Sequence, residues 1–399
     1  MKRILWISDG VVPTGFSRVA HSIIGNLPEE KYEVHHLAVN YFGDPHPYTH
    51  KIYPAASKAN IYGLNRISEF KSKDIDGIFI LNDLWVINMY IEEIKKTWGN
   101  EVPPIVLYFP VDAEEFDLEW FQHFDVVKQA VVYTEFGLNV VKAVFPSHDF
   151  KVIPHGVATD IFYPLSEDKQ EYKKTCYPDK PEFYDGSFIV LNVNRNQPRK
   201  RLDIALEGFS LFVKDKPENV KYYHHAGLQD VGWNILKLAK RFGMDGRIIL
   251  TNMEIGVQKV SDIRLNQIYN GCDVGLNTSM GEGWGLPNVE HAATGAVQLV
   301  PNHSACRELF EDCGLLIPIS QHLYFERILT KGYLIKPEDV AEGLQILYDN
   351  KNVLETLSKK CYEKFSSEEY KWKNIVPKWD EIFSNVFRER ATLHTQDKI

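Results

Sequence analysis

The feature that most constrains this chain is a rhythm. Short apolar runs alternate with segments of helical period, pause at a polar stretch, and then start again. RILWIS (3–8) reads as a buried strand and FSRVAHSIIGNL (16–27) as an amphipathic helix. Further strands are expected at EVHHLAV (33–39), GIFIL (77–81), IVLYF (105–109), AVVYT (130–134) and KVIP (151–154). Helical periodicity falls between them, at 85–97 and 135–145. Strands that are apolar throughout, and separated by helices, belong to a parallel sheet covered on both faces.

The polar stretch PLSEDKQEYKKTCYPDKPEFYDGS (164–187) is the best linker. FIVLNV (188–193), VKYYHHA (220–226), RIILT (247–251), CDVGLN (272–277) and AVQLV (296–300) then read as strands, with helices at 201–214, 233–242, 261–270 and 287–294. The expected architecture is α/β, with two Rossmann-like, doubly wound parallel-sheet domains over residues 1–165 and 185–369. The final 50 residues read as helices. In YKWKNIVPKWDEIFSNVF (370–387), Pro377 is expected to kink or break the run. Ligands of open parallel sheets bind at the carboxyl ends of the strands, so a cleft between two such domains is the natural site.

Composition narrows the partners. With 44% hydrophobic residues the chain has ample material for sizeable cores. A net charge of −9 argues against general nucleic-acid or anionic-membrane binding. The five cysteines are odd in number and include no CxxC pair, which argues against a disulfide framework or a zinc site. A reducing, cytoplasmic setting is expected. The apolar run of the N-terminus is too short for a signal peptide, and no apolar stretch reaches the roughly 18 residues of a membrane span.

Several loops at strand ends carry chemistry. DGVVPTGFS (9–17) has the G-x4-G spacing of a Walker loop, but Phe16 and Ser17 replace its Lys-Ser/Thr. Gly15 still lets backbone N–H groups approach a ligand, or the segment is an ordinary strand-to-helix turn. Asp74 and Asp76 form a D-x-D, but at the amino end of a strand, where a solvated turn is the better reading. YFPVDAEEFD (108–117) brings Asp112, Glu114, Glu115 and Asp117 towards the cleft. One of them would orient or deprotonate an acceptor hydroxyl, unless the loop is simply acidic and exposed. His155, at the crossover between the domains, reads as structural.

NVNRNQPRKRLD (192–203) places Arg195 and Lys200 at a strand-to-helix loop, a setting suited to a diphosphate or, alternatively, to a solvated basic patch. GEGWGLPNVEHAATG (281–295) places Glu282 on a loop and Glu290 about one turn into a helix, with seven residues between them. Gly283 and Gly285 permit a tight turn and a close approach to a ligand, and Pro287 suits a helix start. Carboxylates accept protons from hydroxyls, so each acid is suited to a diol.

Together these motifs resemble the family 4 glycosyltransferases, which have the GT-B fold. The resemblance runs through most of the chain and is most specific over IYNGCDVGLNTSMGEGWGLPNVEHAATGAVQLV (268–300), which holds the family's E-x7-E pattern. Arg195 and Lys200 keep the family's five-residue spacing, and the segment around them is similar to a branch found in large DNA viruses. The resemblance implies that Glu290 holds ribose hydroxyls and that Glu282 contacts the donor sugar and takes part in catalysis. Gly283, Trp284, Gly285 and Leu286 line the donor with their backbone, Arg195 and Lys200 bind its diphosphate, and Gly15 belongs to the acceptor-side phosphate loop.

No metal and no resident cofactor are implied, the nucleoside-diphosphate sugar being a co-substrate, and the reaction is expected to retain anomeric configuration. The C-terminal helix around Trp372, within 370–399, is expected to pack back on the first domain. Three departures stand out. Asn194 replaces a common glycine, NHSACRE (302–308) lacks the usual glycines, and no His occurs in YFPVDAEEF, where Asp112 is the substitute. The implied function is transfer of a sugar to an acceptor hydroxyl. The alternatives are a nucleotide-sugar epimerase on the same fold, or a non-catalytic protein that binds a sugar nucleotide or nucleic acid.

Overall fold

A computed structural model of the chain describes residues 1–57, 60–176, 186–253, 260–326 and 328–387. The first sheet comprises β1 (Lys2–Asp9), β2 (Tyr32–Val39), β3 (Lys51–Pro54), β4 (Gly77–Leu81), β5 (Ile105–Phe109), β6 (Val127–Val132) and β7 (Phe150–Val152). Its helices are α1 (Gly15–Ile24), α2 (Leu84–Trp98) and α3 (Glu135–Val144). After α4 (Lys169–Cys176) comes the second sheet, of β8 (Phe188–Asn192), β9 (Val220–His224), β10 (Ile248–Leu250), β11 (Val274–Leu276), β12 (Val297–Pro301) and β13 (Leu315–Ile317). Around it run α5 (Leu202–Phe212), α6 (Ile235–Arg241), α7 (Asp262–Asn270), α8 (Leu286–Ala293) and α9 (Ser304–Phe310). The hairpin β14 (Gln321–Tyr324) and β15 (Lys331–Leu334) precedes α10 (Pro337–Asp349), α11 (Lys351–Phe365) and α12 (Trp372–Val386).

Both sheets are parallel, in the orders β3-β2-β1-β4-β5-β6-β7 and β10-β9-β8-β11-β12-β13. The expected doubly wound α/β architecture is therefore present twice. Each sheet reverses its strand order once, between β1 and β4 and between β8 and β11. Such switch points open a crevice at the carboxyl ends of the strands. The inner strands β4, β5, β8, β9 and β12 are buried along their whole length, which is why they read as unbroken apolar runs. Side-chain caps start several helices: Thr14 accepts from Ser17 N–H at 3.2 Å, and Thr134 from Gly137 N–H at 3.0 Å. No helix among the described residues is long and apolar enough to cross a membrane.

Two expectations are corrected. Pro377 does not break its run, because α12 continues through it. The proline lies on the exposed face and forfeits only its own N–H bond, while the opposite face is buried. There Trp379 meets Phe79 of β4 edge-on at 5.2 Å, and Phe383 meets Trp6 of β1 at 6.3 Å. The last helix thus lies on the first sheet, and residues 388–399 are outside the described residues. The stretch 164–187 is not a plain linker either. It contains α4, whose Lys173 is fully buried with its Nζ 2.6 Å from Asp273. That ion pair fastens the segment to the second sheet, and residues 177–185 lie outside the described residues. The edge strand β3 and the hairpin β14–β15 were not expected, being short and only partly buried.

Candidate active site

The two crevices face each other across a cleft of about 1050 Å³. Ten of the residues singled out from the sequence line it: Gly15 and Asp112 from the first half, and Arg195, Lys200, Glu282, Gly283, Trp284, Gly285, Leu286 and Glu290 from the second. Loops that follow β1, β4 and β5 form one wall, and those that follow β8 and β11 form the other.

Glu282 is buried at the floor, 4% exposed. Lys200 Nζ donates to its Oε1, as do Asn277 Nδ2 at 3.1 Å and Ser279 Oγ at 2.6 Å. Arg199 Nη1 stands 3.7 Å from Oε2, donates to the Gly281 carbonyl, and lies 3.4 Å from Asp112 Oδ2. Burial works against this carboxylate's charge, but the charges of Lys200 and Arg199 and the donated hydrogen bonds outweigh it and hold its pKa at about 2. Lys200 is itself pulled down from the usual lysine range by burial, against the attraction of Glu282. The pair is ionised, since two cations and two neutral donors face one carboxylate.

Glu290, on α8, is tuned the other way. Tyr269 Oη donates to Oε2 at 2.9 Å, and Arg18 Nε, reaching over from α1, lies 3.3 Å from Oε1. Burial nevertheless pushes this carboxyl above its usual range, with Arg18 opposing. Arg18 also pairs with Asp262 at 2.6 Å and lies over the Phe162 ring at 5.2 Å. The two glutamates of one short stretch therefore differ in protonation behaviour, a pattern common where two acids have different tasks.

The glycines do more than the expected turn. A Cβ on Gly281 would lie 1.7 Å from the Asp112 carbonyl, and one on Gly283 would lie 2.7 Å from Pro110 Cβ. These two residues let the second half touch the loop after β5. Gly285 has φ 88°, the left-handed region that favours glycine, and it turns the chain into α8 with Pro287 in the first turn. Trp284 turns its ring away from solvent, 5.4 Å from His155.

Other expectations are revised by tertiary contacts. Glu114 and Glu115 do not line the cleft but face the hairpin. Glu114 exchanges backbone bonds with Lys331 at 3.0 and 2.9 Å and accepts from Tyr333 Oη at 2.5 Å, and Lys331 Nζ lies 3.2 Å from Glu115. Asp117 lies outside the cleft lining as well. Arg195 is half-exposed at the rim and paired with Asp230 at 2.6 Å, whereas Lys200 is on the floor, so the two cations do not form one clamp. His155 is buried, with Nδ1 2.7 Å from Tyr108 Oη, and burial pulls its pKa down to about 3. It is neutral, and it lines the cleft beneath its rim. Asp76 accepts the Arg3 N–H at 2.8 Å and Asp74 lies 3.5 Å from Arg3, so the D-x-D is a strand-start turn. Among the described residues no group of three or more His, Cys, Asp or Glu is disposed to hold a metal.

Among the charged cleft residues, Arg199, Arg18, Asp9 and Asp83 were not found from the sequence. Arg199 was passed over for its neighbour Lys200, although both belong to the basic run. Arg18 is an arginine within an amphipathic helix and carries no local signal. Asp9 ends β1 and Asp83 follows β4, so their position at strand ends was the available clue. Asp9 is held by Thr14 Oγ1 at 2.7 Å and Asn40 Nδ2 at 3.0 Å. Asp83 is pushed up to about 6 by burial and by the charges of Asp112 and Asp9, with Arg199 opposing.

Two doubly wound domains that face each other across such a cleft define the GT-B architecture, and the chain has that fold. Solved structures agree along nearly the whole length. A sucrose-phosphate synthase from Thermosynechococcus elongatus superposes with a TM-score of 0.74 at 14% identity, over 96% of this chain and 99% of that one. HepE of Anabaena, solved in complex with UDP and glucose, gives 0.70 at 14% identity, over 96% and 100%. A glycosyltransferase from Rickettsia africae gives 0.70 at 13%, over 96% and 98%. No family model matches the chain, and no curated protein matches it by sequence. The likeness is one of fold.

Proposed function

We propose that this chain is a glycosyltransferase that moves a sugar from a nucleoside diphosphate to an acceptor hydroxyl. The observation that carries the reading is the cleft floor, where an anionic Glu282 stands between Lys200 and Arg199, next to the glycine turn that opens α8. Such a floor suits a donor that joins hydroxyls to a diphosphate. Glu282 accepts from sugar hydroxyls. Lys200, Arg199 and, at the rim, Arg195 neutralise the diphosphate, and the backbone of Gly283, Trp284, Gly285 and Leu286 adds N–H groups at the helix start. Glu290 holds the ribose diol beside Tyr269.

In the transfer the acceptor oxygen forms a bond to the anomeric carbon while the bond from that carbon to the phosphate oxygen breaks. The nucleoside diphosphate leaves with the electron pair, and the acceptor proton passes to the leaving phosphate oxygen. The cations stabilise the charge that develops there. This proton route places acceptor and leaving group on one face, which retains configuration. Retention and metal independence are part of the proposal and rest on the family resemblance and on the three cations. The UDP and glucose present in the HepE structure make UDP-glucose the first donor to try.

The test is nucleoside-diphosphate release from UDP-glucose, UDP-N-acetylglucosamine, GDP-mannose and ADP-glucose, with Glu290→Ala and Lys200→Ala as comparisons. Both variants are expected to lose most turnover. Unchanged turnover in both would sink the site assignment, and absence of turnover or calorimetric binding with every donor would sink the function.

A further inference from the structure

The second half supplies the donor floor, while the opposite wall has a different character. At the switch point of the first sheet, Asn82 and Asp83 follow β4. Asp83 occupies the N-cap position of α2 without capping it. Its N–H donates to Asn82 Oδ1 at 2.9 Å, and its carboxylate faces the cleft with no hydrogen-bond or ion-pair partner among the described residues. An unpaired, partly buried carboxylate is costly to keep, and a donor from a ligand removes that cost. Trp85, also on this wall, is 45% exposed although it is the largest apolar side chain type. Tyr62 supports it edge-on, with ring centres 5.8 Å apart at 86°, and Ile61 is exposed too. An exposed indole two residues from a free carboxylate, both lining the cleft, combines an apolar face with a hydroxyl acceptor. A sugar ring presents the same two surfaces, C–H groups on its face and hydroxyls at its edge.

We infer that Asn82, Asp83, Trp85 and Tyr62 form the acceptor subsite, and that its ligand is an uncharged carbohydrate, an inference that rests on the glycosyltransferase reading. Charge excludes the anionic alternatives. Asp9 and Asp112 act on Asp83 as like charges, and the cations that oppose these acids, Arg199 and Arg195, are paired with Asp112 and Asp230 and are the ones assigned to the donor diphosphate. A phosphorylated or acidic acceptor would set further negative charge against these carboxylates.

The experiment titrates the tryptophan fluorescence of the full chain with maltotriose, methyl α-glucoside and glucose 6-phosphate, in the wild type, Trp85→Ala and Asp83→Asn. UDP release from UDP-glucose is followed with the same three compounds. The neutral sugars are expected to change the emission and to accelerate UDP release above the rate in water. Glucose 6-phosphate is expected to bind at least about tenfold more weakly, and each variant to lose about tenfold in neutral-sugar affinity. The inference is overturned if glucose 6-phosphate binds as tightly as the neutral probes, if no neutral sugar binds, or if both variants bind as the wild type does. UDP release that no sugar accelerates also overturns it and leaves the donor reading standing. Neutral-sugar binding that depends on Trp85 without release of UDP supports the subsite and counts against the donor reading.

Discussion

Arg18 in the first half reaches over the cleft to Glu290 in the second, with Nε 3.3 Å from Oε1. The same guanidinium holds Asp262 at 2.6 Å. One side chain thus links the halves through the carboxylate proposed to hold ribose. Arg18→Ala leaves Glu290 with Tyr269 alone. Urea unfolding at pH 7 is expected to give a loss of roughly 1–3 kcal/mol. The sign with pH follows from Glu290, whose folded pKa is raised. Without Arg18 it rises further, and this cost applies above the unfolded value of 4.5. The deficit of the variant is therefore expected to shrink as the pH falls towards 4, and a deficit that grows there contradicts the assignment.

Glu282 gives the opposite acid response. Its folded pKa of about 2 lies below its ordinary 4.5. The stability it contributes is complete above pH 4.5 and is lost as the pH falls towards 2, a difference of roughly 3 kcal/mol. Between pH 6 and 2.5, the unfolding free energy of Glu282→Gln is expected to fall less steeply than that of the wild type.

Breaking the buried Lys200–Glu282 pair from one side strands a charge. Lys200→Met is expected to cost about 3 kcal/mol, and Lys200→Met with Glu282→Gln to recover most of it. A double-mutant cycle by denaturant unfolding measures the coupling, and additive losses would argue against the pair.

Among the described glycines, Gly281 leaves the least room for a Cβ, and what crowds it belongs to the other half. Gly281→Ala would put a methyl group 1.7 Å from the Asp112 carbonyl, so the cleft has to open. Small-angle scattering is expected to report a larger radius of gyration, with donor turnover lost. Gly15→Ala, whose Cβ would lie 3.3 Å from the flexible Leu286 Cδ1, is expected to change the radius far less.

Pro377 is tolerated within α12 rather than required by it. Pro377→Ala restores one backbone donor on an exposed face and is expected to stabilise the protein by about 2 kcal/mol in denaturant unfolding, the helix gain less the entropy that proline removes from the unfolded chain. A loss of stability would mean that the proline shapes the helix.

Much of the fold was legible locally. The period of the apolar runs determined two parallel sheets, because a strand buried on both faces has to be apolar along its whole length. Pro377 misled for the same local reason: helix propensity was read without the packing of Trp379 and Phe383 that overrides it. The hairpin β14–β15 carried too little apolar signal to be seen, and yet it is what draws Glu114 and Glu115 out of the cleft.

In the site, sequence by itself determined where the two glutamates lie relative to a turn and a helix start, because that spacing is local. Tertiary structure alone decided what each one meets. Glu282 finds Lys200 over a separation of 82 residues, and Glu290 finds Arg18 from the other half of the chain. A carboxylate's charge state depends on its burial and on the cations within a few ångströms. Neither is a property of neighbouring letters, so one of two similar acids became a fixed anion and the other an acid raised above its usual range.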